Sequence, residues 1–141
     1  MPKFKPKFAL ICDDIRVEDN HKSIIIGVYT GDIQVNSFPC SLALCCWVSI
    51  EMERHPEPVE IEVKLRIEFE DGSDPFETSS IITIDLIKED VGVKGGTIEL
   101  PLRIKNVAFD LSGAGSMHLY LRKKGGRWSK LLRKEIISEV N

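Results

Sequence analysis

A chain of 141 residues with a formal net charge of −3, 43% hydrophobic and 29% charged residues has the makeup of one soluble globular domain. A domain of this size buries roughly 70% of its unfolded surface, so a core forms without disulfide or metal staples. The absence of low-complexity tracts and of repeats at solenoid spacing excludes wholesale disorder and repeat architectures, and no run reaches the ~18 apolar residues of a membrane helix.

The chain opens on the basic stretch Met1-Pro2-Lys3-Phe4-Lys5-Pro6-Lys7, read as a short N-terminal extension (residues 1–7) ahead of a single domain (residues 8–141). The apolar run behind it, Phe8 to Cys12, stops at Asp13-Asp14. It is too short for the hydrophobic region of a signal peptide, which argues for a cytoplasmic chain with no membrane partner. Alternation and β-branched content predict strands over 8–14 and 23–30, joined by the polar turn Glu18-Asp19-Asn20-His21-Lys22. Gly31-Asp32 ends the second strand. Ser37-Phe38-Pro39 reads as an extended crossing, because proline disfavours helix in the residue before it.

Residues 42–53 predict a third strand. Its front half, Leu42-Ala43-Leu44-Cys45-Cys46-Trp47-Val48, is apolar on both faces, as expected of a strand covered on both sides or of one covering a partner. Apolarity alone also admits a helix, but Val48-Ser49-Ile50-Glu51-Met52-Glu53 then alternates strictly, which argues for strand. After the break His55-Pro56-Glu57-Pro58, residues 59–69 alternate strictly. Val59, Ile61, Val63, Leu65, Ile67 and Phe69 point inward; Glu60, Glu62, Lys64, Arg66 and Glu68 point outward. Asp71-Gly72-Ser73-Asp74-Pro75 is a turn cluster, residues 81–87 are the next strand, and 88–96 form a glycine-rich loop.

A strand over 97–104 contains Pro101, which donates no ladder bond and so belongs on an edge or at a bulge; 105–111 continue extended. After the loop Ser112-Gly113-Ala114-Gly115, residues 117–123 predict a strand with Met117, Leu119 and Leu121 inward, and Gly125-Gly126 a tight hairpin turn. Residues 128–140 admit two readings. Trp128, Leu131, Leu132 and Ile136 fit a helical face, so a short C-terminal helix is the alternative, while the preceding hairpin turn favours a final strand. Eight or nine strands without a βαβ unit make an all-β protein, an antiparallel sandwich of immunoglobulin-like or C2-like type.

The opening residues Ala9-Leu10-Ile11-Cys12-Asp13-Asp14-Ile15-Arg16, then Glu18-Asp19-Asn20 and Lys22, and Gly27-Val28-Tyr29 ahead of a proline and an apolar strand, are similar to an uncharacterised family of small bacterial all-β proteins, a domain of unknown function. The match is strongest over residues 8–33. The resemblance implies a bacterial or phage origin and an all-β fold, and it supplies no activity, ligand or catalytic residue.

Chemistry is sparse. The four cysteines, Cys12, Cys40, Cys45 and Cys46, have no C-x-x-C spacing, which points to reduced, mostly buried thiols and to no structural zinc. Asp13, Asp14, Glu18, Asp19 and Asp32 are a weak Ca²⁺ alternative, since their spacing matches no calcium loop. His21 and His55 lie in polar turns, His118 lies on an outward face, and none has an evident nucleophile partner; no catalytic residue, metal ligand or cofactor is assigned.

The anomaly is charge layout. Arg122, Lys123, Lys124, Arg127, Lys130, Arg133 and Lys134 crowd thirteen residues without an acid, whereas residues 8–121 hold 20 acids against 9 bases, a net of −11. These seven are the candidate partner-binding residues, part of an exposed positive surface that suits an acidic protein or a second copy of the chain. Nucleic acid is the lesser alternative, because the body is acidic and poor in aromatics. The expected function is a non-enzymatic binding or adaptor module; the alternatives are a small ligand sensor or enzyme of bacterial or phage defence type, and a self-associating structural subunit.

Overall fold

The computed structural model describes residues 4–19, 22–53, 55, 57–85 and 97–138. Nine strands occupy them and no helix: β1 (Phe4–Val17), β2 (Ser23–Val28), β3 (Ile33–Val35), β4 (Cys40–Glu53), β5 (Val59–Phe69), β6 (Phe76–Ile84), β7 (Thr97–Leu111), β8 (Gly115–Lys123) and β9 (Ser129–Ser138). They form two sheets, one of four strands in the order β2-β1-β4-β7 and one of five in the order β3-β9-β8-β5-β6. The order β9-β8-β5 in one sheet beside β1-β4-β7 in the other is the connectivity of an immunoglobulin-type sandwich.

The core lies between the sheets and follows from period-2 alternation. Leu44, Cys46, Val48, Ile50 and Met52 of β4 face Val59, Ile61, Val63, Leu65 and Ile67 of β5, with Met117, Leu119 and Leu121 of β8 beside them, all buried. Each such aliphatic side chain contributes ~1.5–3 kcal/mol by leaving water. Cys45 and Trp47 point to the opposite side of β4. There Cys45, Cys12 and Ile15 make a second small cluster, packed by Ile25 and Trp47, and the Trp47 indole donates to Ser23 Oγ at 3.1 Å. The doubly apolar stretch from Leu44 to Val48 is thus explained by cover on both faces, while Ala43 ahead of it is exposed.

Several boundaries differ from the expectations. The segment 1–7 is not wholly an extension, since β1 begins at Phe4 and pairs Phe4 with Met52. Pro6 is tolerated because β2 pairs only with residues 12–17 of β1, leaving no second neighbour in the sheet to demand an N–H there. The sheets are not purely antiparallel: β3, three residues too short to display a period, pairs parallel with β9 and buries Ile33 and Val35. Strand β6 starts at Phe76, not Ile81, and the last two residues of the expected strand 81–87 and the whole of the expected loop 88–96 lie outside the described residues.

Strand β7 runs unbroken from Thr97 to Leu111 on the edge of its sheet, which accommodates Pro101. Between the pairs Leu44↔Val107 and Cys46↔Ile104, β7 carries two residues, Lys105 and Asn106, against one on β4; Asn106 has φ 57°. This is a bulge.

The last segment is strand β9, and the C-terminal helix does not form. A second bulge explains the helical look of its sequence. Leu119 pairs with Leu132 and Tyr120 with Lys130, so Leu131 is the extra residue. It doubles an apolar position and breaks the alternation.

Candidate binding face

The outward side of the five-stranded sheet collects most of the chain's organised polar chemistry. On β5, Glu62, Lys64, Arg66 and Glu68 stand opposite Arg122, Tyr120, His118 and Ser116 of β8, and β9 adds Lys130 beside Tyr120 and Arg133 beside His118. Three cations from three strands converge on two rings. Lys64 Nζ lies 4.9 Å from the Tyr120 centroid and 4.3 Å from that of Trp128; Arg122 Cζ lies 4.1 Å from Trp128; Lys130 Nζ lies 5.8 Å from Tyr120. The rings meet edge-on at 6.4 Å. A cation over an aromatic face gains ~0.5–1 kcal/mol at an exposed site, which fixes the long side chains without consuming their charge.

The seven candidate residues divide by strand parity. Arg122, Lys130 and Arg133 stand on this outer face. Lys124 and Arg127 are exposed at the hairpin tip, where Gly126 N–H donates to the Lys123 carbonyl at 2.8 Å and Gly125 takes φ 80°. Lys123 and Lys134 are half-buried and paired with the inward residues Ile61 and Met117, so they sit on the core side of the sheet.

Acids balance several of the seven. Arg122 reaches Glu62 at 2.8 Å, Lys124 reaches Glu60 at 3.1 Å and Arg133 reaches Glu135 at 2.6 Å. Two of these acids come from β5, a neighbour that the 122–134 segment considered alone does not reveal. Lys64, Tyr120 and Trp128 were missed as site residues. The outward parity of Lys64 and Tyr120 was legible, that of Trp128, in the β8–β9 connection, was not, and the convergence of all three depends on the β5–β8 register.

His118 is on the outward side as expected, yet it is buried, at 5% exposure, and it does have a hydroxyl neighbour. Ser116 Oγ and His118 Nε2 share a 2.9 Å hydrogen bond, and Tyr120 stacks on the imidazole at 6.2 Å. Burial lowers the His118 pKa, Lys130 lowers it further, and Glu68 opposes them. Glu68 Oε2 lies 3.8 Å from the same Nε2, while the buried Nδ1 has no partner. A serine relay needs its acid on the nitrogen opposite the serine, so Ser116, His118 and Glu68 lack that geometry.

Two acidic residues of the opening motif, Asp13 and Asp14, have structural tasks. Asp13 accepts from Tyr29 O–H at 2.9 Å and lies against Gly27, whose φ is 69° and whose missing Cβ leaves room for the carboxylate. Asp14 accepts from Ile15 N–H at 2.9 Å. Among the described residues no three His, Cys, Asp or Glu side chains are placed to hold a metal ion. Burial pushes the Cys12 thiol up to about 11 and Cys46 to about 12, so both stay protonated and unreactive at neutral pH.

Comparison with known families supplies the remaining finding. The model of a family of unknown function, DUF6941, matches residues 7–125, so the chain belongs to that family. The match covers the Asp13–Gly27–Tyr29 contact and most of the candidate face but ends before Trp128. No curated protein matches the chain.

Proposed function

We propose that this DUF6941 protein is a non-enzymatic binding module that docks an acidic protein segment on the outer face of β5, β8 and β9. The observation that carries the reading is the convergence of Lys64, Arg122 and Lys130 on Tyr120 and Trp128. Rigid aromatics flanked by fixed cations make good contact area at low entropic cost, and Trp, Tyr and Arg are enriched at interface hot spots. Protein suits this face better than nucleic acid, because Glu62, Glu68, Glu77 and Glu135 stand among the cations; a peptide can set its acids on the cations and uncharged side chains on these carboxylates, whereas a nucleic acid carries a charge at every phosphate. The four free thiols suit a reducing, cytoplasmic setting, and the family resemblance at the N-terminus suits a bacterial or phage source.

The test is fluorescence anisotropy with a labelled peptide of alternating glutamate and serine and, separately, a labelled single-stranded oligonucleotide. The peptide should bind, weaken as salt rises through the range where exposed charges are screened over ~8 Å, and lose at least tenfold in affinity with Lys64→Glu/Lys130→Glu. Tighter binding of the oligonucleotide, or a peptide affinity unchanged by the double variant, refutes the reading.

Self-association is a second reading, favoured by β2. This strand lies on the edge of its sheet, has no charge or proline, and exposes Ile24, Ile26 and Val28 at 41%, 39% and 38%. Edges normally carry such protection, and antiparallel pairing of two β2 strands is self-complementary. Sedimentation velocity over a concentration series should then show a dimer that Ile26→Lys abolishes; a monomer at all concentrations rejects it.

A further inference from the structure

We propose that the opening between β6 and β7 is a binding site for a small amphipathic carboxylate, with its apolar tail between the sheets and its head at the Lys105–Asn106 bulge. A cavity of about 330 Å³ lies here, within the ~300–1,000 Å³ range of ligand pockets. At about 30 Å³ for each water-sized group, it has room for roughly ten non-hydrogen atoms. The site is distinct from the outer face, since its walls belong to the interior.

Those walls are apolar and come from both sheets: Val63, Leu65 and Leu119 from one, Cys46, Ile104 and Val107 from the other. The rim is polar for a specific reason. Phe76, Thr78, Ser80, Ile82 and Ile84 of β6 pair with Ile67, Leu65, Val63, Ile61 and Val59 and so share their inward face. A closed sandwich has apolar residues at all five positions. Phe76 meets that demand by packing on Phe109 across the gap, at 5.8 Å, but Thr78 and Ser80 next to it place hydroxyls where the core should be sealed.

Directly across from them the β7 bulge inserts Lys105 and Asn106 into the rim. Asn106 is the one non-glycine residue with positive φ among the described residues, and such strain clusters where a fold shapes a site. Two hydroxyls, an amide and one ammonium therefore surround the mouth of an apolar slot. Among the described residues Lys105 is the only charged one in the lining; it is exposed and makes no ion pair with any of them. That arrangement selects an anionic head on an apolar tail. The Cys46 thiol on the wall, held protonated by burial, adds no competing negative charge.

The probes are decanoate and decanol, titrated into the full chain and followed by calorimetry and by methyl NMR of valine and leucine. Decanoate should bind, and its shift changes should centre on Val63, Leu65, Val107 and Leu119. Lys105→Glu, a change on an exposed side chain, should weaken decanoate at least tenfold and leave decanol within twofold. Ser80→Trp should block both probes while circular dichroism stays unchanged. Absence of binding by wild type, shift changes centred elsewhere, or equal loss of both probes in Lys105→Glu would each overturn the assignment. If Ser80→Trp does not fold, the NMR map and Lys105→Glu still decide it.

Discussion

At Gly27 the backbone is left-handed and the space a Cβ would fill is taken by the Asp13 carboxylate, which Tyr29 O–H holds in place. Gly72 has a similar φ of 78° but open space around it. An alanine in the left-handed region costs ~1–3 kcal/mol, so Gly72→Ala should sit near the low end. Gly27→Ala should exceed it, because the carboxylate must also move. Urea denaturation of the two variants separates conformational strain from steric collision; equal losses would show that the contact with Asp13 contributes nothing.

His118 gives a pH prediction at the same scale. Its folded pKa lies below the ordinary 6.5, through burial and the cations Lys130, Arg133 and Arg66, with Glu68 opposing. Below pH 6.5 the unfolded chain therefore binds more protons than the folded one, and stability falls as the pH drops, by at most about 1.4 kcal/mol per pH unit for one group. The contribution is intact above pH 6.5. Melting temperatures from pH 7.5 to 5 should decline in wild type, and the part of that slope below pH 6.5 should flatten in His118→Gln.

Among the elements, β5 is the centre of the five-stranded sheet's contribution to the core. Ile67 is fully buried and paired with Phe76 and Met117. Ile67→Asp should destabilise by several kcal/mol or abolish folding, since a buried unpaired carboxylate has no compensating partner. Glu68→Gln, one residue away on the outer face, should change the melting temperature far less. A folded Ile67→Asp protein of unchanged stability would mean the strand phase is wrong. Strand β5 was legible in the sequence because water on one face and core on the other impose alternation. Strand β9 was ambiguous because the bulge at Leu131 adds a residue out of phase, and β3 was invisible because three residues cannot display a period. Strand β6 was misplaced because its first half, Phe76-Glu77-Thr78-Ser79-Ser80, carries hydroxyls on its core side.

For the whole molecule the charge pattern shows where one-dimensional reading stops. The run of cations from Arg122 to Lys134 is a fact of sequence, and the local reading made it one positive surface. Strand parity turns Lys123 and Lys134 toward the core side, and Glu60 and Glu62 of β5 pair with Lys124 and Arg122. What remains is a mixed face organised around Tyr120 and Trp128. Its binding should therefore depend on the rings as well as on charge: Trp128→Ala should lower peptide affinity even at high salt, where charge reversal has little left to remove. By itself the sequence determined the all-β class, the inward sets of β5 and β8, an edge or a bulge for Pro101, and the hairpin turn at Gly125. These follow from local stereochemistry and alternation. Only the tertiary structure decided the parallel β3–β9 pair, the burial of His118 beside Ser116, the cation cluster on Tyr120 and Trp128, and the opening at Lys105–Asn106. Each of these depends on the register between strands distant in the chain, and register is set by the packing of the whole sandwich.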